Sequence, residues 1–100
     1  MTLTRVWQYD VRPGSEPAFE DAYGAAGSWA RLFATSDGYL GTELFRSLDV
    51  RGRYLTTDRF LGRDAWHRFV AEHRPAYEQL DAQCADLTVA EQELAAVEDD

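Results

Sequence analysis

The segment Gly38-Tyr39-Leu40-Gly41-Thr42-Glu43-Leu44-Phe45-Arg46-Ser47-Leu48, then Asp49-Val50-Arg51-Gly52-Arg53, then Tyr54-Leu55-Thr56-Thr57-Asp58-Arg59-Phe60, decides the fold. Its two flanks alternate apolar and polar residues with period two and are rich in Tyr, Phe, Leu and Thr, the pattern of half-buried strands. Between them lies a charged turn of about five residues that contains a glycine, which predicts an antiparallel hairpin.

Working outward from the hairpin, Thr4 to Arg12 alternates as Val6-Gln8-Asp10 against Trp7-Tyr9-Val11 and stops at Pro13-Gly14, a first strand. Ser15 is placed to cap a helix, with Pro17 in its first turn, where a missing N–H costs little. Phe19, Ala22 and Tyr23 form the apolar stripe of that helix, which ends near Gly24. A second short helical turn follows at Ser28–Phe33, with Trp29, Leu32 and Phe33 at the i, i+3, i+4 spacing that turns one side inward. Beyond the hairpin, Gly62-Arg63-Asp64 reads as a loop closing on Asp64 as N-cap. Ala65, Trp66, Phe69, Val70, His73, Tyr77, Leu80, Cys84 and Leu87 then hold one apolar face through about six turns. Pro75 interrupts this stripe, removing a donor and disfavouring helix at Arg74, so a kinked helix is expected. Thr88 to Glu98 closes the chain: Leu94 and Val97 suit a last strand, whereas the alanines and glutamates also suit helix. Glu98-Asp99-Asp100 reads as a frayed tail.

The resulting order, β-α-β-β-α-β, is the ferredoxin-like arrangement of the α+β class. It has a four-stranded antiparallel sheet with helices on one face and the other face bare. Either Trp7 and Tyr9, or Val6, Gln8 and Asp10, point to the bare side. Large side chains there call for a partner, and pairing two such sheets in a homodimer is the economical answer. One hundred residues suit one domain over 1–100, with a core small enough for dimer burial to help.

Composition narrows the chemistry. The formal net charge is −8, from 18 acidic against 10 basic residues, and such a surface repels nucleic acid. No apolar run approaches a membrane span and Met1-Thr2-Leu3-Thr4 does not open a signal peptide, so a cytoplasmic protein is expected. All the basic residues are arginine; the absence of lysine excludes Schiff-base catalysis. The single Cys84 forms no internal disulfide, and no Cys/His cluster has zinc spacing, so no metal is expected.

Three runs carry a family likeness: Trp29-Ala30-Arg31-Leu32-Phe33, Gly38-Tyr39-Leu40-Gly41-Thr42-Glu43-Leu44, and Tyr54-Leu55-Thr56-Thr57-Asp58-Arg59-Phe60. With Tyr77-Glu78-Gln79-Leu80-Asp81, then Leu87-Thr88 and Glu91, their order resembles the antibiotic biosynthesis monooxygenase family over most of the chain. Phe60 stands where members of that family often carry Trp. The resemblance implies a dimeric α/β barrel of two ferredoxin-like sheets. It also implies, as in some members, oxidation of a phenolic compound to a quinone by dioxygen without a cofactor.

Trp66 and His73 lie seven residues apart, two helical turns, and share a face with Phe69 and Tyr77. If that face looks at the sheet, it forms an aromatic slot for a flat phenol. In that reading His73 is the base, Arg59 at the strand end offsets phenolate charge, and Tyr77 or Trp66 hydrogen-bonds the product oxygen. Trp29, Phe69 and Gln8 complete the substrate-binding set. The same stripe also suits a plain hydrophobic core, which leaves a non-catalytic dimer binding a hydrophobic metabolite as the alternative. Haem-degrading relatives use an Asn on the first strand, a Trp and an iron-ligating His. This chain has no Asn, so haem binding would fall to His73 alone.

Overall fold

The computed structural model describes residues 1–99. Its elements are β1 (Leu3–Val11), α1 (Glu16–Tyr23), α2 (Ser28–Phe33), β2 (Tyr39–Arg46), β3 (Arg53–Phe60), α3 (Gly62–Cys84) and β4 (Thr88–Glu98), with one 3-10 turn at Ala85–Leu87. The strands form one antiparallel sheet in the order β2-β3-β1-β4, the ferredoxin-like topology. The hairpin between β2 and β3 closes through the Ser47 N–H to the Arg53 carbonyl at 2.8 Å. Ser47 Oγ accepts from the N–H groups of Asp49 and Val50, and Gly52 takes the left-handed conformation (φ 79°) that the turn requires.

Register settles which side of each strand is inside. Arg5, Trp7 and Tyr9 stand opposite Asp58, Thr56 and Tyr54, so these residues share one face. That face meets the helices: Phe19, Phe60 and Phe69 are fully buried, and Phe33 sits within 5.2–6.1 Å of the rings of Tyr39, Phe60, Trp66 and Phe69. Burial of such rings dominates the stabilisation of a small core, at roughly 25 cal/mol per Å² of apolar area. The bare face therefore carries Val6, Gln8 and Asp10. Asp10 and Arg53 pair there in a two-pronged ion pair, at 2.8 and 3.1 Å.

Several local expectations change. Ser15 makes no side-chain cap; instead the Glu16 carboxylate accepts from the Gly14 N–H at 2.7 Å. Helix α3 begins at Gly62 rather than after Asp64, which lies inside its first turn, where a carboxylate suits the positive helix end. The kink induced by Pro75 falls at His73 (φ −122°, ψ 22°). The last segment is a strand despite its alanines and glutamates, because β1 offers it a ladder from Leu3↔Glu98 to Val11↔Thr88. Glu98 and Asp99 are tied down, with the Thr2 N–H donating to Asp99 Oδ1 at 2.8 Å, and Asp100 lies outside the described residues.

Candidate active site

Between the inner sheet face and the underside of α2 and α3 lies a recess whose walls hold all three tryptophans, Trp7, Trp29 and Trp66. Helical spacing delivers Trp66 and Tyr77 from α3, and α2 delivers Trp29. The Tyr77 ring meets Trp29 edge-on at 5.2 Å and Trp66 at 6.2 Å. The strand floor supplies Arg5, Trp7, Thr56 and Asp58. Unfilled space amounts to about 540 Å³ with the open mouth included. The centre of a water-sized body moves through only about 60 Å³ of it, room for a few waters or a dioxygen molecule.

Polar groups at the floor form two sets. In the first, Thr42 Oγ1 donates to Asp58 Oδ1 at 2.7 Å, and Tyr39 Oη lies 2.7 Å from Thr42 Oγ1. A hydroxyl has one proton, so with Thr42 donating to Asp58 the Tyr39 phenol donates to Thr42. In the second, Arg5 lies flat over Trp66, 4.1 Å from the ring centre, and donates Nε–H to Glu93 Oε2 at 2.9 Å. Burial raises the Asp58 carboxyl above its ordinary range, against the opposing effects of the Thr42 hydrogen bond and the Arg5 charge. Burial likewise raises the phenols of Tyr9, Tyr23 and Tyr77, with Arg5 opposing the shift at Tyr77.

Two buried groups in the wall have no partner: Trp29 Nε1 and Thr56 Oγ1. Each has neighbours close enough to feel it, Tyr23 and Cys84 for the indole and Tyr9 for the hydroxyl, yet none of these contacts has hydrogen-bond geometry. A buried polar group left unsatisfied costs about 1–3 kcal/mol.

Of the residues anticipated from sequence, Trp29, Trp66 and Tyr77 come together around the recess. Phe69 is fully buried behind them, 5.7 Å from Trp66. His73 sits at the kink, stacked on Phe69 at 5.3 Å, and does not line the recess. Arg59 and Gln8 lie on the opposite face of the sheet: Arg59 stands across from Thr4, and Gln8 across from Leu55 and Gln92. In their place the structure brings Asp58, Thr42 and Arg5. Asp58 shares its parity with Tyr54, Thr56 and Phe60, and the burial of the two large rings shows that parity to be the inside one. Among the described residues, no group of three or more His, Cys, Asp or Glu side chains is arranged to hold a metal ion. No helix is long and apolar enough to cross a membrane.

The sequence model for antibiotic biosynthesis monooxygenases matches residues 2–83. The chain belongs to the antibiotic biosynthesis monooxygenase family. None of the curated proteins matches the sequence. Among solved structures, this family member is similar to SnoaB, a cofactor-independent oxygenase from Streptomyces nogalater, with a TM-score of 0.74 at 20% identity, covering 98% of this chain and 95% of that one. It also resembles Rv0793 from Mycobacterium tuberculosis, with a TM-score of 0.67 at 19% identity over 99% of this chain and 98% of that one. PA3566 from Pseudomonas aeruginosa gives 0.66 at 15% identity, over 96% and 91%. At such identities these likenesses are likenesses of fold.

Proposed function

We propose that this monooxygenase-family protein oxidises a phenolic aromatic small molecule with dioxygen, without a cofactor, in the recess beneath α3. Membership of the family supports a monooxygenase-type role, and the shared fold with SnoaB, a cofactor-independent oxygenase, fits the finer reading. The observation that carries it is the half-buried carboxylate of Asp58 at the floor of an aromatic recess, held by the Thr42 hydroxyl.

A flat phenol at the mouth packs against the rim that Trp29, Trp66 and Tyr77 form. Asp58 accepts its proton; burial moves that carboxyl toward the operating pH, which favours general-base work. Thr42 and Tyr39 fix the carboxylate's orientation. Arg5 offsets negative charge as it passes from the ring to oxygen. The deprotonated ring supplies the electrons: a C–O bond forms, the O–O bond breaks, and a CH₂ (or ring C–H) becomes C=O with release of water. One O₂ is consumed per carbonyl formed, so the sum requires no external reductant. The inner 60 Å³ suits dioxygen and the mouth suits the ring.

The same reading includes a homodimer paired through the bare sheet faces, where Phe45 and Val97 are about half exposed beside Val6 and Leu55. Narrowness of the recess favours the competing reading, a non-catalytic module that binds a hydrophobic metabolite. Oxygen uptake with anthrones or hydroquinones, on chelator-treated protein, separates the two. The expected outcome is uptake matched to carbonyl formation, lowered about a hundredfold or more by D58N. Tryptophan quenching by ligand with no uptake would favour the competing reading.

A further inference from the structure

The recess carries an uneven charge. Asp58, Asp81 and Glu91 line it from β3, α3 and β4, against the single cation Arg5. That cation is already committed, with its Nε–H on the Glu93 carboxylate and its face on Trp66. Among the described residues no ion pair reaches Asp81 or Glu91. These two carboxylates also stand at a boundary. A second, open depression, with about 600 Å³ of unfilled space counted in the same way as the 540 Å³ of the recess, runs along the junction of α3 and β4, and it shares Tyr23, Asp81 and Glu91 with the recess. An arriving molecule on this side passes between two unpaired carboxylates.

The lining also carries unpartnered polar atoms and aromatic faces, independently of that charge. Thr56 is 2% exposed and Trp29 8% exposed, and each holds an unpartnered polar atom in the recess wall. Tyr77 and Trp29 add aromatic faces that attract a cation, whereas the Trp66 face is occupied by Arg5.

We infer that the recess selects aromatic ligands that carry an ammonium group, seating the ring among Trp29, Trp66 and Tyr77 and the ammonium between Asp81 and Glu91, and that it disfavours aromatic carboxylates. This rests on the recess being the substrate site and adds the charge of the substrate. A partly exposed charge pair gives a few-fold in affinity, so two carboxylates acting together give about tenfold. The carboxylate analogue meets the same field with opposite sign.

Quenching of the recess tryptophans by three naphthols on one ring system tests this: unsubstituted, aminomethyl-bearing and carboxylate-bearing. The expected order of affinity is aminomethyl, then unsubstituted, then carboxylate, about tenfold apart at low salt, with the gaps narrowing as ionic strength rises. Asp81 and Glu91 are exposed, so D81N/E91Q leaves packing intact; the three ligands should then bind within a few-fold of one another. Equal binding of all three to the wild-type protein, tighter binding of the carboxylate, or an order unchanged in D81N/E91Q overturns the inference and leaves the proposed oxygenation standing. Failure of every naphthol to quench overturns both.

Discussion

Asp58 concentrates the tension between stability and function. Its carboxyl is raised mainly by loss of hydration, so the folded chain holds that proton more tightly than the unfolded chain does. Between the two titrations the folded state binds more protons, and the group's contribution to stability falls as pH rises through that window. Asp10 works in the opposite sense: Arg53 lowers its carboxyl, and the stability it lends is lost as pH falls. D58N removes the half-buried charge while Asn Oδ1 still accepts from Thr42. D58N should therefore melt higher than wild type at neutral pH, by about 4 °C, with the difference closing in acid. Thermal melts across pH check this, and a D58N protein less stable than wild type at neutral pH refutes it. Sequence made the helix-borne aromatics Trp29, Trp66 and Tyr77 legible through spacing alone. It left Asp58 and Arg59 ambiguous, because both are charged and a one-residue shift exchanges the faces of a strand. The flanking rings Tyr54 and Phe60 resolve it only once their burial is known.

At the level of elements, the recess depends on how closely α3 approaches the start of β2. Gly38 makes that contact: a Cβ built there would lie 2.3 Å from Ala65 Cβ, and the Gly38 carbonyl accepts the N–H of Leu61, the residue before α3, at 2.8 Å. Neither atom belongs to a flexible side chain, so relief requires α3 to move. G38A should cost about 1–3 kcal/mol by denaturant unfolding. Ala65→Gly should cost about 1 kcal/mol on its own through helix propensity. Combined with G38A it should recover part of the loss, as a coupling energy in the double-mutant cycle. Strictly additive effects would mean that the contact is not the cause. The kink of α3 shows where element-scale reading fails. Pro75 announces a break, yet the distorted residue is His73, whose imidazole stacks on Phe69 instead of lining the recess, while Tyr77 beyond the kink still reaches it. β4 fails for the complementary reason: its composition is helical, but the β1 edge it pairs with is a tertiary feature that no local window contains.

The whole molecule leaves one sheet face uncovered. Leu55 lies at its centre, paired on one side with Gln8 and on the other with Phe45, while Val97 extends the patch across from Thr4. Arg59 lies on the same face, across from Thr4, with its Nε buried inside the chain and unpartnered. A chain of this size gains much from further burial, and pairing two such faces in a two-fold arrangement repeats each contact. Opposing this is charge, since each copy carries −8. Association should therefore strengthen from low to moderate salt, where screening weakens repulsion between like surfaces while apolar burial persists. Light scattering should find twice the 11.4 kDa of one chain at moderate salt, moving toward one chain on dilution at low salt. Leu55→Asp places a charge at the centre of the face in both copies, where pairing would strip it of water, and should give a folded monomer with unchanged far-ultraviolet dichroism. A wild-type monomer at every salt concentration, or a Leu55→Asp protein that stays dimeric, would show that this face is not where the copies meet.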